Sequence, residues 1–283
     1  MQQIAFIASS KDSAGINIRD NLIKIFGFEE ISEKFENNNV YLCNKTKNKI
    51  IKLYITNEDL IFSNNLDKKI FEGDFFIFLS KHRSKENTPS FTVHPIGNWD
   101  KADFGGEEKT LCLSSAILLK NLYLSLMQNL HLQKNANFDV TMEATHHGPY
   151  VEKPAVFVEI GSTEKEWNDK NNGEIIAKTI MSSIEKFSTY EDNWISAILL
   201  GGGHYTQAGN KIMLRTNYAI GHICPKYMLE YLDENMLMQA INRTIPKPEI
   251  VLVDWKGLGQ YKQKTITLLE KLNLKFERVQ NIL

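Results

Sequence analysis

The sequence predicts an α/β protein built on a mostly parallel sheet. Apolar runs of strand length recur along it: "QIAFIA", "DFFIFLS", "AVFVEIG", "WISAILL" and "EIVLVDW". Stretches with apolar residues at helical spacing separate them, and strand–helix alternation of this kind marks a parallel sheet with helices packed on it. The run "DFFIFLS" is apolar throughout rather than alternating, as expected of a strand covered on both faces. Composition agrees, since 42% hydrophobic and 24% charged among 283 residues is a globular balance able to bury a substantial core.

The first strand, Gln3–Ala8, leads to a helix that starts near Asp12 or Ser13 and ends near Gly27, with Ile16, Leu22, Ile23, Ile25 and Phe26 on its apolar side. Strands follow around Val40–Cys43 and Ile50–Ile55, then at Asp74–Ser80. Residues 81–110 show little regular pattern and contain Pro89, Pro95, Gly97, Gly105 and Gly106. Most connections are a handful of residues, so a loop of about 30 points to function. A helix is expected over Ser114–Leu132, then strands at Phe138–Ala144 and Ala155–Gly161. Ser162-Thr163 reads as an N-cap with Glu166 behind it, opening a helical stretch to Phe187 with a break near Gly173. Strand Trp194–Leu200, a short helix, strand Tyr218–Ile223 and a helix from Pro225 to Ala240 come next. Strand Glu249–Trp255, helix Gly259–Leu272 and strand Lys275–Gln280 close the chain. No internal repeat is visible; residues 1–283 read as a single unit, with Gln133–Asn137 the place for any subdivision.

Several function classes are disfavoured. Cys43, Cys112 and Cys224 lie far apart with no CxxC, which rules out a zinc ribbon and suggests a reducing, cytoplasmic setting. No apolar run approaches the length of a membrane span. A net charge of −1 advertises no global basic field, so nucleic-acid binding would need a local patch.

The unusual residues gather after the strands. Only seven histidines occur, and five fall in three motifs: His82 and His94 in "KHRSKENTPSFTVHPIGNW", His146 and His147 in "MEATHHGPY", His204 in "GGGHY". Glu143 stands in the second motif, and Glu159 ends a strand. Open α/β sheets bind ligands beyond the carboxyl ends of parallel strands, so these motifs are expected to share one pocket. Adjacent residues of an extended segment point to opposite faces, so one of His146 and His147 is expected to enter it. Imidazole and carboxylate are the usual ligands of catalytic zinc; these histidines with Glu143 and Glu159 would supply three ligands and a base. No HExxH is present, so the ligands must come from different strand ends. The alternative for each histidine is a hydrogen-bonded structural role, the reading preferred for His222 inside a strand pattern. Gly201–Gly203 reads either as an anion cradle of backbone N–H groups or as a tight turn. Trp99, Tyr150 and Tyr205 beside the motifs are candidates to stack on a base or to wall the pocket. Local lysine clusters read as solvated faces or, with an RNA ligand, as phosphate contacts.

Together "SKHRSKENTPSFTVHPIGNW", "EATHHGPY", "VFVEIGSTEKEW" and "GGGHY" resemble the archaeal and plant type of D-aminoacyl-tRNA deacylase. The resemblance runs from about Ile4 to Val279, with divergence mainly in Ser32–Phe71. It implies a three-layer α/β/α, phosphorylase/hydrolase-like fold. It also implies a zinc-dependent, monomeric, cytoplasmic hydrolase that frees tRNA from D-amino acids. On that reading His82, His94, His146 and His204 are expected as metal ligands, and Glu143, Glu159 and His147 as catalytic groups. Thr145, Gly148, Gly202, Tyr205 and Trp99 are expected to bind substrate, with backbone N–H groups near Gly148 or Gly202 on the oxyanion. Metal-activated water with Glu143 or Glu159 as general base would attack the ester. Two other readings stand beside it: a zinc peptidase or amidohydrolase, and a non-catalytic RNA-binding protein.

Overall fold

A computed structural model describes residues 1–46, 48–70, 72–132, 138–187 and 193–283. The expected point of subdivision, Gln133–Asn137, lies outside the described residues. The first half contains strands β1 (Gln2–Ser9), β2 (Glu29–Phe35), β3 (Asn38–Cys43), β4 (Lys49–Thr56), β5 (Phe75–His82) and β6 (Ser90–His94). Short pairings β7 (Gly97–Asn98), β8 (Thr110–Leu111) and β9 (Ser114–Ser115) follow. Helices α1 (Ser13–Phe26), α2 (Leu66–Lys69) and α3 (Ala116–Leu132) intervene. The second half holds β10 (Asp139–Met142), β11 (Ala155–Gly161), β12 (Ile195–Leu200), β13 (Tyr218–Cys224), β14 (Thr244–Ile245), β15 (Ile250–Val253) and β16 (Phe276–Arg278). Its helices are α4 (Glu164–Asn168), α5 (Lys170–Lys186), α6 (Gln207–Arg215), α7 (Glu234–Asn242) and α8 (Lys262–Lys271).

The α/β class and the mostly parallel, mixed sheet match the expectation, but the strands divide between two main sheets. One has the order β10-β6-β11-β5-β1-β4-β3-β2, the other β13-β12-β15-β16. Helices α1, α3 and α5 cover one face of the large sheet, where Phe6, Leu53, Ile77 and Val158 meet Ile18, Leu22, Leu119 and Ile180. The opposite face carries Ile7, Phe76, Phe78 and Phe157 beneath α2 and the loops that bring Leu60, Ile96, Cys112 and Val151. In the small sheet, Leu199, Ile220 and Leu252 face the main core with α6, while Leu200, Val251 and Val253 face α7 and α8. Helix α3 packs against both sheets and joins them.

Local chemistry explains most boundaries. Asp12 caps α1 by accepting from the Gly15 N–H, and Gly27 ends the helix at φ 65°. Thr163 and Glu166 form the expected capping box of α4. The break in this stretch falls at Asp169, which caps α5, rather than at Gly173. Gly173 sits inside α5 because α1 lies close: a Cβ there would be 2.3 Å from Asn17 Oδ1. The helix expected from Pro225 is only a 3₁₀ turn, Lys226–Met228, and α7 starts after the Asp233 cap. Besides the two-residue pairings β7, β8, β9 and β14, two strands escaped the sequence reading. The edge strand β2, "EEISEKF", is mostly charged. Strand β6, "SFTVH", lies inside the large sheet within the expected loop, its alternate positions polar because Thr92 and His94 lie on the side of Glu159 in the cluster described next.

Candidate active site

The candidate site lies on the face of the large sheet that the long helices leave free. Period-two alternation and strand register put Phe157 and Glu159 of β11, Phe78, Ser80 and His82 of β5, and Thr92 and His94 of β6 on that face. Strands β6 and β10 run opposite to β5 and β11. The pocket therefore lies on the sheet face close to the carboxyl ends of the parallel β5 and β11, as expected, but the reversed β6 and β10 also feed it, which corrects the expectation of parallel strands throughout. Its floor is aromatic: Phe157 stacks on Phe78 at 4.9 Å and on His94 at 5.1 Å, the latter with planes 4° apart.

Beyond β10 the chain crosses from one sheet to the other. The Glu143 N–H donates to Val93 O, the Ala144 N–H to His204 O at 2.8 Å, and the Thr145 N–H to Ile223 O at 3.1 Å. This crossing brings His204 of the small-sheet half over His82, His94 and Glu159 of the large sheet. The result is a cavity of about 610 Å³ lined by His82, Glu143, His146, His147, Glu159 and His204 among others.

Glu143 is wholly buried and central to the cluster. Its Oε1 lies 3.0 Å from His82 Nδ1, and its Oε2 accepts from His204 Nε2 at 2.9 Å and lies 3.5 Å from His146 Nε2. Glu159 accepts from Thr92 Oγ1 at 3.0 Å and lies 3.5 Å from His82 Nδ1. Burial alone would raise both carboxyls, but the imidazoles win. His204 and His82 hold Glu143 well below the carboxylate range, and His82 and His94 hold Glu159 down at about 2. Burial opposes a charge on His82, yet the two carboxylates push it up to about 11. The two carboxylates thus favour the protonated form of His82, whose Nε2 lies 3.2 Å from the Tyr205 hydroxyl.

Three of the other four imidazoles have a different polarity. Nδ1 of His94, His146 and His147 faces a backbone carbonyl, of Pro95 at 3.1 Å, Ala144 at 2.7 Å and Gly148 at 2.6 Å respectively. A carbonyl only accepts, so each ring carries its proton on Nδ1 and turns the Nε2 lone pair inward when neutral. Metal-ligating histidines commonly donate their other ring N–H to a carbonyl in this way. Burial and the neighbouring His94 lower His147 to about 4, and burial, His94 and His147 put His146 well below the ordinary imidazole range. His94 Nε2 is buried with no hydrogen-bond partner, Glu159 Oε1 being 3.8 Å off. Burial opposes protonation of His94, but Glu159 and Glu143 raise it, and the same negative field favours a dication at that atom. The ligand atoms of His94, His146 and His147 all lie within 4.8 Å of one another, as do those of Glu143, His146 and His204 and those of His82, Glu143 and Glu159, so each set could hold a metal ion; the Nδ1-to-carbonyl pattern singles out the first.

Both adjacent histidines enter the cavity, contrary to the alternation expected of a strand. His147 sits at φ 43°, which breaks the extended geometry and brings its ring centroid to 4.3 Å from that of His146.

The model of the family described as D-aminoacyl-tRNA deacylase matches residues 70–277. The chain belongs to the D-aminoacyl-tRNA deacylase family. Archaeal relatives bearing that name agree over almost the whole length. The Thermococcus onnurineus protein is 36% identical over 279 residues, 96% of this chain and 98% of its own. The Thermococcus kodakarensis protein is 37% identical over 274 residues, 94% of this chain and 96% of its own. A crystal structure described as a conserved protein of unknown function superposes with a TM-score of 0.88 at 32% identity, covering 99% of this chain and 96% of that one.

Within this deacylase family member the structure gathers His82, His94, Glu143, His146, His147, Glu159 and His204 into one cluster, as the sequence anticipated. Other expected roles change. The Gly148 N–H donates to Phe104 O at 3.1 Å and the Gly202 N–H to Gly257 O at 3.1 Å, so neither is free for an oxyanion. The Gly201 N–H likewise goes to Cys224 O, so the first two N–H groups of the triple glycine are used within the fold. Thr145 is buried and fully engaged: it accepts from the Ile223 N–H and donates to His222 Nδ1. The His222 tautomer follows from its Nε2–H donating to Cys112 O at 3.0 Å, and this confirms a structural His222. Trp99 lines the cavity but is 2% exposed, and Tyr150 is 8% exposed, so neither offers a face to a base. Sequence reasoning missed Thr92, which orients Glu159, and Tyr227, whose hydroxyl lies 2.9 Å from His204 Nδ1. The alternation in "SFTVH" was the available signal for Thr92; nothing in the sequence marks Tyr227.

Proposed function

We propose that this chain hydrolyses the ester joining a D-amino acid to the 3′-terminal ribose of tRNA, as a zinc-dependent, monomeric, cytoplasmic enzyme. The observation that carries the reading is the clustering of five histidines and two glutamates, four of the histidines and both glutamates lining one cavity, in a chain of the D-aminoacyl-tRNA deacylase family. His94, His146 and His147 would hold the metal, which moves His147 from the catalytic group to the ligands and His82 and His204 out of them. A zinc ion there supplies Lewis acidity toward water and a carbonyl.

The remaining residues manage protons and charge. His204 is the working imidazole because its side chain is 32% exposed while that of Glu143 behind it is fully buried. Glu143 holds the Nε2–H of His204, leaving Nδ1 as the basic atom, in contact with the Tyr227 hydroxyl. A water or ribose oxygen that displaces this hydroxyl exchanges its proton at Nδ1. Glu159, steadied by Thr92, and the His82 imidazolium balance the charge of the cluster. An ester asks less of such a site than an amide does, because its alkoxide is the better leaving group.

The test is release of amino acid from D-tyrosyl-tRNA and L-tyrosyl-tRNA by the purified protein, before and after chelation and with zinc restored. Selective release of the D-residue, lost on chelation and recovered with zinc, is expected. D-selective release that survives complete chelation refutes the zinc dependence alone. No release from folded, zinc-loaded protein refutes the hydrolytic reading and directs attention to peptide substrates.

A further inference from the structure

We propose that the cavity mouth is a stacking platform for the unpaired 3′-terminal nucleotides of the substrate, formed by Phe104, Tyr205, Tyr227 and Tyr231, with Lys81 and Arg83 receiving the phosphates. The inference rests on the hydrolytic reading above and deepens it. Among the described residues, four of the five exposed aromatic side chains line this one mouth; the fifth is Phe62. Exposed rings confined to one rim mark a binding surface rather than a folding requirement.

Phe104 carries the argument furthest. Its ring is 68% exposed, yet the loop that bears it is locked. Asn98 Nδ2 donates to Gly105 O and Glu107 O, and Phe104 O accepts the Gly148 N–H of the histidine turn. Gly105 has φ 76°, and a Cβ on it would sit 1.7 Å from Ile61 O. A rigid loop thus holds an apolar ring in water at the cavity mouth. Tyr205 and Tyr227 connect rim to chemistry, since their hydroxyls touch His82 and His204 while 37% and 48% of each residue is exposed. Tyr231 stands beyond them at 37% exposure.

The rim charges select the occupant. Lys81 and Arg83 lie over the Trp167 ring at 5.8 Å and 5.2 Å, and among the described residues neither forms an ion pair with a carboxylate. Lys101 is on the rim as well, alongside Asp100 and Asp103. The phosphates are therefore assigned to the Lys81–Arg83 side, away from the aspartates. Rings plus unpaired cations fit single-stranded nucleotides, whose bases stack without regard to sequence, better than they fit an apolar peptide.

The experiment compares equilibrium binding of a tRNA with an intact 3′ end and the same tRNA lacking its last three nucleotides. The unmodified protein is expected to prefer the intact form. Phe104→Ala and Tyr231→Ala, neither of which contacts the metal-binding or proton-transfer groups, are expected to shrink that preference about tenfold each. They should raise KM for D-tyrosyl-tRNA similarly, with kcat and hydrolysis of a small D-tyrosine ester unchanged; Phe104→Tyr and Tyr231→Phe should restore binding. Arg83→Ala should flatten the salt dependence of log K by about 0.7. Equal binding of both tRNAs by the parent, alanine variants that bind like the parent, or parallel loss on the small ester would each overturn the platform. A parent that prefers the intact end but releases no D-amino acid would refute the hydrolytic reading and leave the platform standing.

Discussion

His147 illustrates how residue-scale geometry assigns chemistry. The sequence cannot say which of two adjacent histidines enters a site; the left-handed backbone at His147 lets both do so, and the carbonyl on each Nδ1 makes both lone-pair donors at Nε2. His147→Ala and His94→Ala are expected to strip bound zinc through dialysis, whereas His204→Ala retains it; metal content of the purified variants checks this. Glu143→Gln keeps the metal but lets the His204 ring lose its fixed tautomer. A fall in kcat of about 10²–10⁴ is expected, measured on D-tyrosyl-tRNA. Glu159, depressed from 4.5 to about 2, ties the metal-free protein to pH. A lowered carboxyl contributes stability that is whole above its unfolded value and lost as pH falls through its folded one. The urea midpoint of the chelated protein should therefore drop from pH 5 toward pH 2, and Glu159→Gln should flatten that part of the curve.

At the scale of elements, local patterns served where burial was uniform and failed where function interrupts it. The strands β1, β5, β11 and β12 were legible because apolar runs leave no other reading, and α1 and α4 because Asp12 and Thr163 announce them. Strand β6 was read as loop because Thr92 and His94 serve the Glu159 side of the cluster, so chemistry had replaced the residues that would have shown a strand. Its flanking loop has its own requirement at Gly105. Gly105→Ala forces a Cβ toward Ile61 O at a φ of 76°, and should destabilise by about 1–3 kcal/mol, read as a shifted urea midpoint. Phe104 is displaced with it, so affinity for the intact tRNA end should fall in the same variant.

The whole molecule is held by a core common to both sheets. One contiguous cluster contains Phe6 and Val158 of the large sheet, Ile220 and Leu252 of the small one, and Leu119 of α3 between them. The site lies across that junction, Glu159 and His94 on one side and His204 and Tyr227 on the other. Loss of the small-sheet half would remove half the cavity wall as well as part of the core. Unfolding is accordingly expected as a single transition. Tryptophan fluorescence, which reports Trp99 and Trp167 as well as Trp194 and Trp255, should coincide with far-ultraviolet circular dichroism across the urea curve. Separate transitions would mean that the sheets unfold independently.

The sequence by itself determined the α/β class, most strand and helix positions, the family resemblance and the seven residues that meet in the cluster. These follow from patterns within about ten residues, where apolar spacing, caps and rare residue types are visible. Tertiary structure alone decided that β6 and β10 run against β5 and β11, that the pocket sits on a sheet face, and which nitrogen each histidine presents. It also decided that the Gly148 and Gly202 N–H groups are already taken. The reason is physical: strand direction and the partners of the glycine N–H groups are set by segments tens of residues away in the chain, while the carbonyls that fix the histidine tautomers are one or two residues away but are aimed by a backbone conformation that residue types alone do not dictate.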